Sequence, residues 1–210
     1  MTERRRIDGG SVRPVRAHEL REFYAVLARA FEDDPLTGFL FPDSGSRFRR
    51  LTAFYRWMIP TLVAHGRMET DEEIRGGAVW QAPNPPSPGS LQLLSTMLRA
   101  ALALRGRARA GMALGRTLEA VHEQRPHWYL AVLGTAPEYQ ARGVGSALIA
   151  PVLERCDREG VLAYLESSKE VNIPFYERHG FEVRQEVRVP DGPVVWPMLR
   201  RPRAVEGRDA

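Results

Sequence analysis

Apolar residues recur at three- and four-residue intervals in separate stretches of the chain, and each such pattern predicts one buried face of a helix. Leu20, Phe23, Tyr24, Leu27, Ala28 and Phe31 form the first, opening near His18 and ended by Asp33, Asp34 and Pro35. Phe48, Leu51, Phe54, Tyr55 and Met58 form the second, with Gly66 as its stop and Pro60 expected to kink or shorten it. Val144, Leu148, Val152 and Cys156 repeat every fourth residue, with Glu154, Asp157, Arg158 and Glu159 mostly opposite and Gly160 as the terminating residue. Pro151 falls inside that helix and should kink it. The Leu-, Ala- and Arg-rich stretch 90–123 reads as two helices broken near 106–111.

Between these lie shorter apolar runs. Residues 12–17 alternate weakly and suggest a first strand; 67–70 and 74–81 read as a hairpin around the acidic turn Asp71-Glu72-Glu73. Residues 128–133 are an apolar run with an aromatic pair, and 161–165 are a second apolar run that follows a helix, so both predict buried strands. Stacked prolines make 82–89 irregular. There is no internal repeat. Residues 1–11 and 201–210 carry no apolar period and are expected to be loose ends, which leaves 12–200 as one domain.

With 210 residues, 43% of them hydrophobic, the chain can bury a full core. The net charge of +4 comes from 30 basic against 26 acidic residues mixed along the whole length, so no basic face for nucleic acid is indicated. Arg4-Arg5-Arg6, followed by Asp8, reads as a solvated tail. Lys169 is the lone lysine, a skew expected of a GC-rich bacterial genome. Cys156, the single cysteine, excludes an intrachain disulfide and lies on a helix packing face, where a core role is expected of it. No stretch has the ~20 apolar residues of a membrane span, and the amino end lacks a leader pattern, so the expectation is a soluble, cytoplasmic chain, monomer or homodimer. His122, His127 and His179 are scattered, without metal-ligand spacing, and no metal is expected.

The segment richest in chemistry is Gln140-Ala141-Arg142-Gly143-Val144-Gly145-Ser146, set between the strand 128–133 and the helix that begins at Val144. Its glycines permit close backbone approach, and the helix start offers unpaired N–H groups and a positive dipole end, which together suit a pyrophosphate. A Walker loop would need a lysine after the second glycine, and a dinucleotide fingerprint would need a small residue where Leu148 stands. Neither fits.

The Gln-x-Arg-Gly-x-Gly pattern resembles the acyl-CoA loop of the GNAT acetyltransferase superfamily. A second match follows at the proper separation: the strand 161–165, then Glu166-Ser167-Ser168, then Asn172-Ile173-Pro174-Phe175-Tyr176-Glu177-Arg178-His179-Gly180-Phe181. From Trp128 to Met198 the sequence also resembles the puromycin N-acetyltransferases within that superfamily, including Pro151 and Gly192-Pro193 before Trp196. The likeness is still visible at Ala30-Phe31 and Ala78-Val79-Trp80 and is poorest over 84–123. Ala141 stands where a glycine is common.

This resemblance implies an α/β GNAT fold: a mixed, twisted sheet of about six or seven strands, splayed in the middle and flanked by helices. It implies acetyl-CoA as co-substrate, held by the backbone of Leu133, Gly134 and Thr135, by the loop Gln140, Ala141, Arg142, Gly143, Val144, Gly145 and Ser146, and by Asn172. Tyr176 falls on the general-acid tyrosine. Glu166, at the end of an apolar strand, is the candidate to accept the amine proton, against the plainer reading of a solvated strand end or an ion pair. Asp33 and Asp34 lie in a region used for acceptor contacts. Trp80, with Trp128 and Trp196, reads as core, and Trp80 is also carried as an acceptor contact. The expected activity is acetylation of a small-molecule amine by direct transfer in a ternary complex, with detoxification of an antibiotic or other xenobiotic as a role to test; acetylation of a protein or peptide, and a non-catalytic acetyl-CoA sensor, are the alternatives.

Overall fold

The computed structural model describes residues 12–63, 66–85, 99 and 102–204. The expected tail 1–11, residues 205–210 of the other tail, and most of the stretch 86–101 lie outside the described residues.

Eight strands form one sheet: β1 (Val12–Pro14), β2 (Arg67–Asp71), β3 (Gly76–Gln81), β4 (His127–Thr135), β5 (Leu162–Ser167), β6 (Phe181–Val183), β7 (Val187–Arg188) and β8 (Val194–Arg200). Their order is β1-β2-β3-β4-β5-β8-β6, with β7 also paired to β8. Among the described strands only β4 and β5 run parallel. The helices are α1 (Leu20–Ala30), α2 (Pro35–Leu40), α3 (Ser44–Leu62), α4 (Ala108–Val121), α5 (Val144–Glu159) and α6 (Ile173–Glu177). The expected mixed α/β sheet with flanking helices is the observed architecture.

Two apolar layers cover the sheet. α5 and α6 pack Val144, Leu148, Val152, Cys156 and Tyr176 against Trp80, Trp128, Leu130, Ala163, Leu165 and Met198. α1 and α3 pack Phe23, Leu27, Leu51, Tyr55 and Ile59 against Val79 and Val132. Cys156 is fully buried in the first layer, and that burial pushes its thiol up to about 12, so it packs and does not react.

Two irregularities in β4 shape the site. Val79 pairs with Val132 but Trp80 with Leu130, so Ala131 is an extra residue on β4, and the bulge turns Ala131 and Val132 toward the α1/α3 layer. More important, β4 and β5 pair only from His127–Leu162 to Tyr129–Tyr164. Beyond that point β4 pairs with β3 alone and β5 with β8 alone, so the sheet opens into a wedge whose two edges carry unshared backbone groups.

The elements differ from the sequence expectation in three informative places. Pro35 does not simply end the first helix: it is the first residue of α2, and Asp34 caps it by accepting from the N–H groups of Leu36 at 2.9 Å and Thr37 at 3.1 Å. Pro60 sits in the last turn of α3, where the helix is about to stop in any case. Residues from 201 onward are not all loose, because the backbone N–H of Arg203 donates to Asp157 on α5 at 2.7 Å.

Candidate active site

A cleft of about 460 Å³ follows the wedge between β4 and β5. Its floor is Leu133, Gly134 and Thr135 on the free edge of β4. The loop before α5 also lines it, through Gln140, Ala141, Gly143, Val144, Gly145 and Ser146. Asn172 and Tyr176 line the β5 side, and Asp33 and Asp34 close it from the α1–α2 turn. The structure thus brings together nearly all of the positions proposed from sequence for the co-substrate, with the tyrosine and both aspartates.

Local chemistry explains the loop. Gly143 has φ +91° and is the N-cap of α5; a Cβ there would meet nothing within 4 Å, so the glycine serves the backbone turn and leaves space above the helix end. The N–H groups of Val144, Gly145 and Ser146 precede the first intrahelical donor, Ala147, whose N–H bonds Gly143 O at 3.0 Å. Gly145 serves close packing, since a Cβ would stand 3.3 Å from the Phe175 ring. The Gln140 amide donates to Thr135 O at 3.2 Å and fastens the loop to the strand. Ala141 also takes a left-handed φ of +58°, which a glycine would accept without strain. The loop therefore suits a pyrophosphate, and the wedge suits an extended arm with amide groups of its own.

Burial first, and then the Asp34 charge, push the Tyr176 phenol up, so it stays protonated at neutral pH. Burial also raises Asp34, against the lowering effect of its hydrogen bonds from Ser168, Thr37 and Leu36 and of the Lys169 charge. Asp34 accepts the Ser168 hydroxyl, and Asp33 Oδ1 lies 2.6 Å from Lys169 Nζ, so the α1–α2 turn is tied across the cleft to the turn after β5. Asn172 makes no capping hydrogen bond to α6.

Three proposed residues are not part of the cleft lining. The Arg142 guanidinium lies over the Tyr139 ring, 5.7 Å from its centroid. Trp80 is fully buried in the α5 layer, so its side chain is core and reaches no acceptor. Glu166 lies inside β5, paired with Pro197, and two residues past the last β4–β5 pair. Ala163 and Leu165 face α5, so by strand alternation Glu166 and Tyr164 face the other way. There the Glu166 side chain, only 4% exposed, meets His122 Nδ1 at 3.4 Å. Burial, together with the charge and hydrogen bonding of Glu166, pushes the phenols of both Tyr129 and Tyr164 up. His122 packs edge-on against both tyrosines, with centroids 4.9 and 5.0 Å away. The carboxylate is thus not a solvated strand end, and among the described residues its partner is a histidine and not an arginine.

The sequence reading missed Ser168, Lys169 and His122. Lys169 carried a signal, as the one lysine three residues after Glu166; the pairing of Asp34 with Ser168 spans 134 positions and carried none.

The acetyltransferase (GNAT) family profile matches residues 29–181. The chain belongs to the GNAT acetyltransferase family. Over 184 residues it is 28% identical to an uncharacterised N-acetyltransferase of Schizosaccharomyces pombe, an alignment covering 82% of this chain and 74% of the relative. A Corynebacterium glutamicum structure described as histone acetyltransferase HPA2 and related acetyltransferase superposes with a TM-score of 0.68 at 26% identity, over 94% of this chain and 98% of that one. Arylalkylamine N-acetyltransferase 2 from Aedes aegypti shares the fold, with a TM-score of 0.59 at 10% identity over 90% of this chain and 97% of the other.

GNAT enzymes are acyltransferases that use acetyl-CoA. Among the described residues no group of three or more His, Cys, Asp or Glu side chains could hold a metal ion, and no helix is long and apolar enough to cross a membrane.

Proposed function

We propose that this GNAT enzyme acetylates the amine of a small molecule by direct transfer. The observation that carries this reading is the fastening of α2. A Cβ on Gly192, in the turn between β7 and β8, would come within 3.0 Å of Phe39 Cζ, so the two surfaces touch. Arg107 donates to Phe39 O at 2.7 Å and lies over its ring, 4.9 Å from the centroid. Asp33 and Asp34 bind Lys169 and Ser168 at the other end of the same segment. An extended peptide would need an open groove, whereas these contacts close α2 against the β7–β8 turn. The likeness of residues 128–198 to puromycin N-acetyltransferases supports the same class and makes an antibiotic or other xenobiotic amine the first acceptor to try.

When bound, acetyl-CoA supplies an activated thioester. The chain's residues supply the rest. Leu133, Gly134 and Thr135 hold the acyl arm along the open edge of β4, and the α5 amino end holds the phosphates. Tyr176, kept protonated, is placed to give a proton to the departing sulfur. Glu166, at the apex of the wedge and on the face opposite α5, attracts an ammonium and takes its proton, because only the free amine can attack. His122, one-third exposed, leads from that buried carboxylate toward solvent.

The test is release of free thiol from acetyl-CoA against a panel of amines and of peptides with free amino ends. Turnover with small amines and none with peptides is expected; faster turnover with peptides would reverse the assignment. Measurable CoA binding with no thiol release against any member of the panel would make the chain a sensor.

A further inference from the structure

The chain holds 30 basic residues, and all but Lys169 are arginine. That one lysine lines the same cleft as Thr135, Gly145 and Tyr176. Its partner is Asp33, at 2.6 Å, and the lysine side chain is 22% exposed while the aspartate is 81% exposed. An arginine would serve such a pair at least as well, since its guanidinium fork matches a carboxylate. What arginine lacks is an amine that can lose its proton and act as a nucleophile. The Asp33 partner is solvent-screened, so the ion pair that holds the amine is a weak one.

We propose that Lys169 is itself an acyl acceptor, acetylated by acetyl-CoA bound in its own cleft. The inference rests on the reading of that cleft as the acetyl-CoA site. The ammonium first gives one proton to water. The Nζ lone pair then forms a C–N bond to the acetyl carbon as the thioester C–S bond breaks. The departing sulfur takes up a proton, so one ammonium and one acetyl-CoA yield one acetyl-lysine, one free thiol and one proton. The product is neutral and cannot pair with Asp33. The α1–α2 turn then keeps only the Asp34–Ser168 tie across the cleft, and the acceptor side is loosened. An enzyme starved of acceptor would in this way mark itself.

The experiment incubates the folded chain with acetyl-CoA and no amine at mildly alkaline pH, reading intact mass, peptide maps and, in the same samples, CoA binding by calorimetry. The expected result is a gain of one acetyl mass, mapped to Lys169 and absent in Lys169→Arg. It should form at least tenfold faster than in the urea-unfolded chain, and Tyr176→Phe should slow it about as much as a lost general acid slows transfer. CoA binding without modification of Lys169 would overturn the inference and leave the cleft assignment standing. Modification at the same rate in the unfolded chain, or at another site, would overturn it as well. Absence of CoA binding would overturn both.

Discussion

His122 Nδ1 stands 3.4 Å from Glu166 Oε1 where β4 and β5 part, and joins a buried carboxylate to a side chain that reaches water. Glu166→Gln keeps the shape and removes the charge. With Glu166 as the proton acceptor, kcat should fall at neutral pH and recover in part at higher pH, where free amine is abundant. His122→Gln should lower kcat less, on the order of a few-fold, and added imidazole should restore it. A pH–rate profile for Glu166→Gln that only scales down would leave the residue a structural role. Unchanged kcat for His122→Gln, with Glu166→Gln impaired, would send the proton out by water instead.

Tyr176 lines the same cleft as Gly143 and Gly145, and binding at the loop can be tested apart from chemistry at the tyrosine. Tyr176→Phe should lower turnover on the order of ten- to a hundredfold and leave CoA affinity nearly as it was. Gly143→Val should do the reverse, because a branched side chain at φ +91° both strains the turn and projects where phosphate would rest. Calorimetry with CoA and single-turnover rates separate the two. Equal loss of both properties in either variant would contradict this division.

The parts of the fold that were legible in the sequence are those set by local pattern. The four-residue repeat from Val144 to Cys156 gave α5, and Gln140 to Gly145 gave the loop, because a backbone-binding turn needs particular residues in consecutive positions. α2 is six residues long and too short to show a period, although Asp34 before Pro35 was a legible start signal. Glu166 was expected at the end of an apolar strand but lies inside β5, and its surroundings of His122, Tyr129 and Tyr164 come from three separate segments. The bulge at Ala131, which sets what faces each layer of β4, leaves no composition cue at all. Trp80 illustrates the limit from the other side: a large aromatic beside a motif suits a pocket or a core equally until packing is known, and here it is core.

The left-handed Ala141 offers a stability test independent of activity. A non-glycine residue at φ +58° costs roughly 1–2 kcal/mol, and glycine returns part of that gain by freeing the unfolded chain. Ala141→Gly should therefore stabilise the fold by up to about 1 kcal/mol, which for a chain of this size raises Tm by roughly 2–4 °C. Thermal unfolding without ligand is the measurement. A lowered Tm would mean that the methyl group makes a contact worth more than the strain.

Arg200 and Asp157 form the best-buried ion pair linking the last strand to α5. The guanidinium, 3% exposed, donates to both carboxylate oxygens at 2.8 and 2.7 Å and to His179 O at 2.9 Å. Burial alone would raise the Asp157 carboxyl, but the Arg200 hydrogen bonds, the Arg203 N–H and the two guanidinium charges hold it below the ordinary carboxylate value. A carboxyl depressed in the folded state stabilises the fold fully above its unfolded value, near about 3.9, and loses that contribution as pH falls through the lower folded value. Asp157→Asn leaves a buried cation without its counter-charge, a change that costs about 3 kcal/mol at the lower end of the range for such pairs. Near neutral pH the variant should melt roughly 6–12 °C below the parent chain. As pH drops below about 4 the gap should narrow, because protonation removes from the parent the charge that the variant already lacks. Because Arg203 is tied to the same carboxylate, the chain beyond β8 should also become more accessible to protease in the variant at neutral pH. A melting gap that stays constant from neutral to acid pH would mean that shape, and not charge, is what Asp157 contributes to this corner of the sheet.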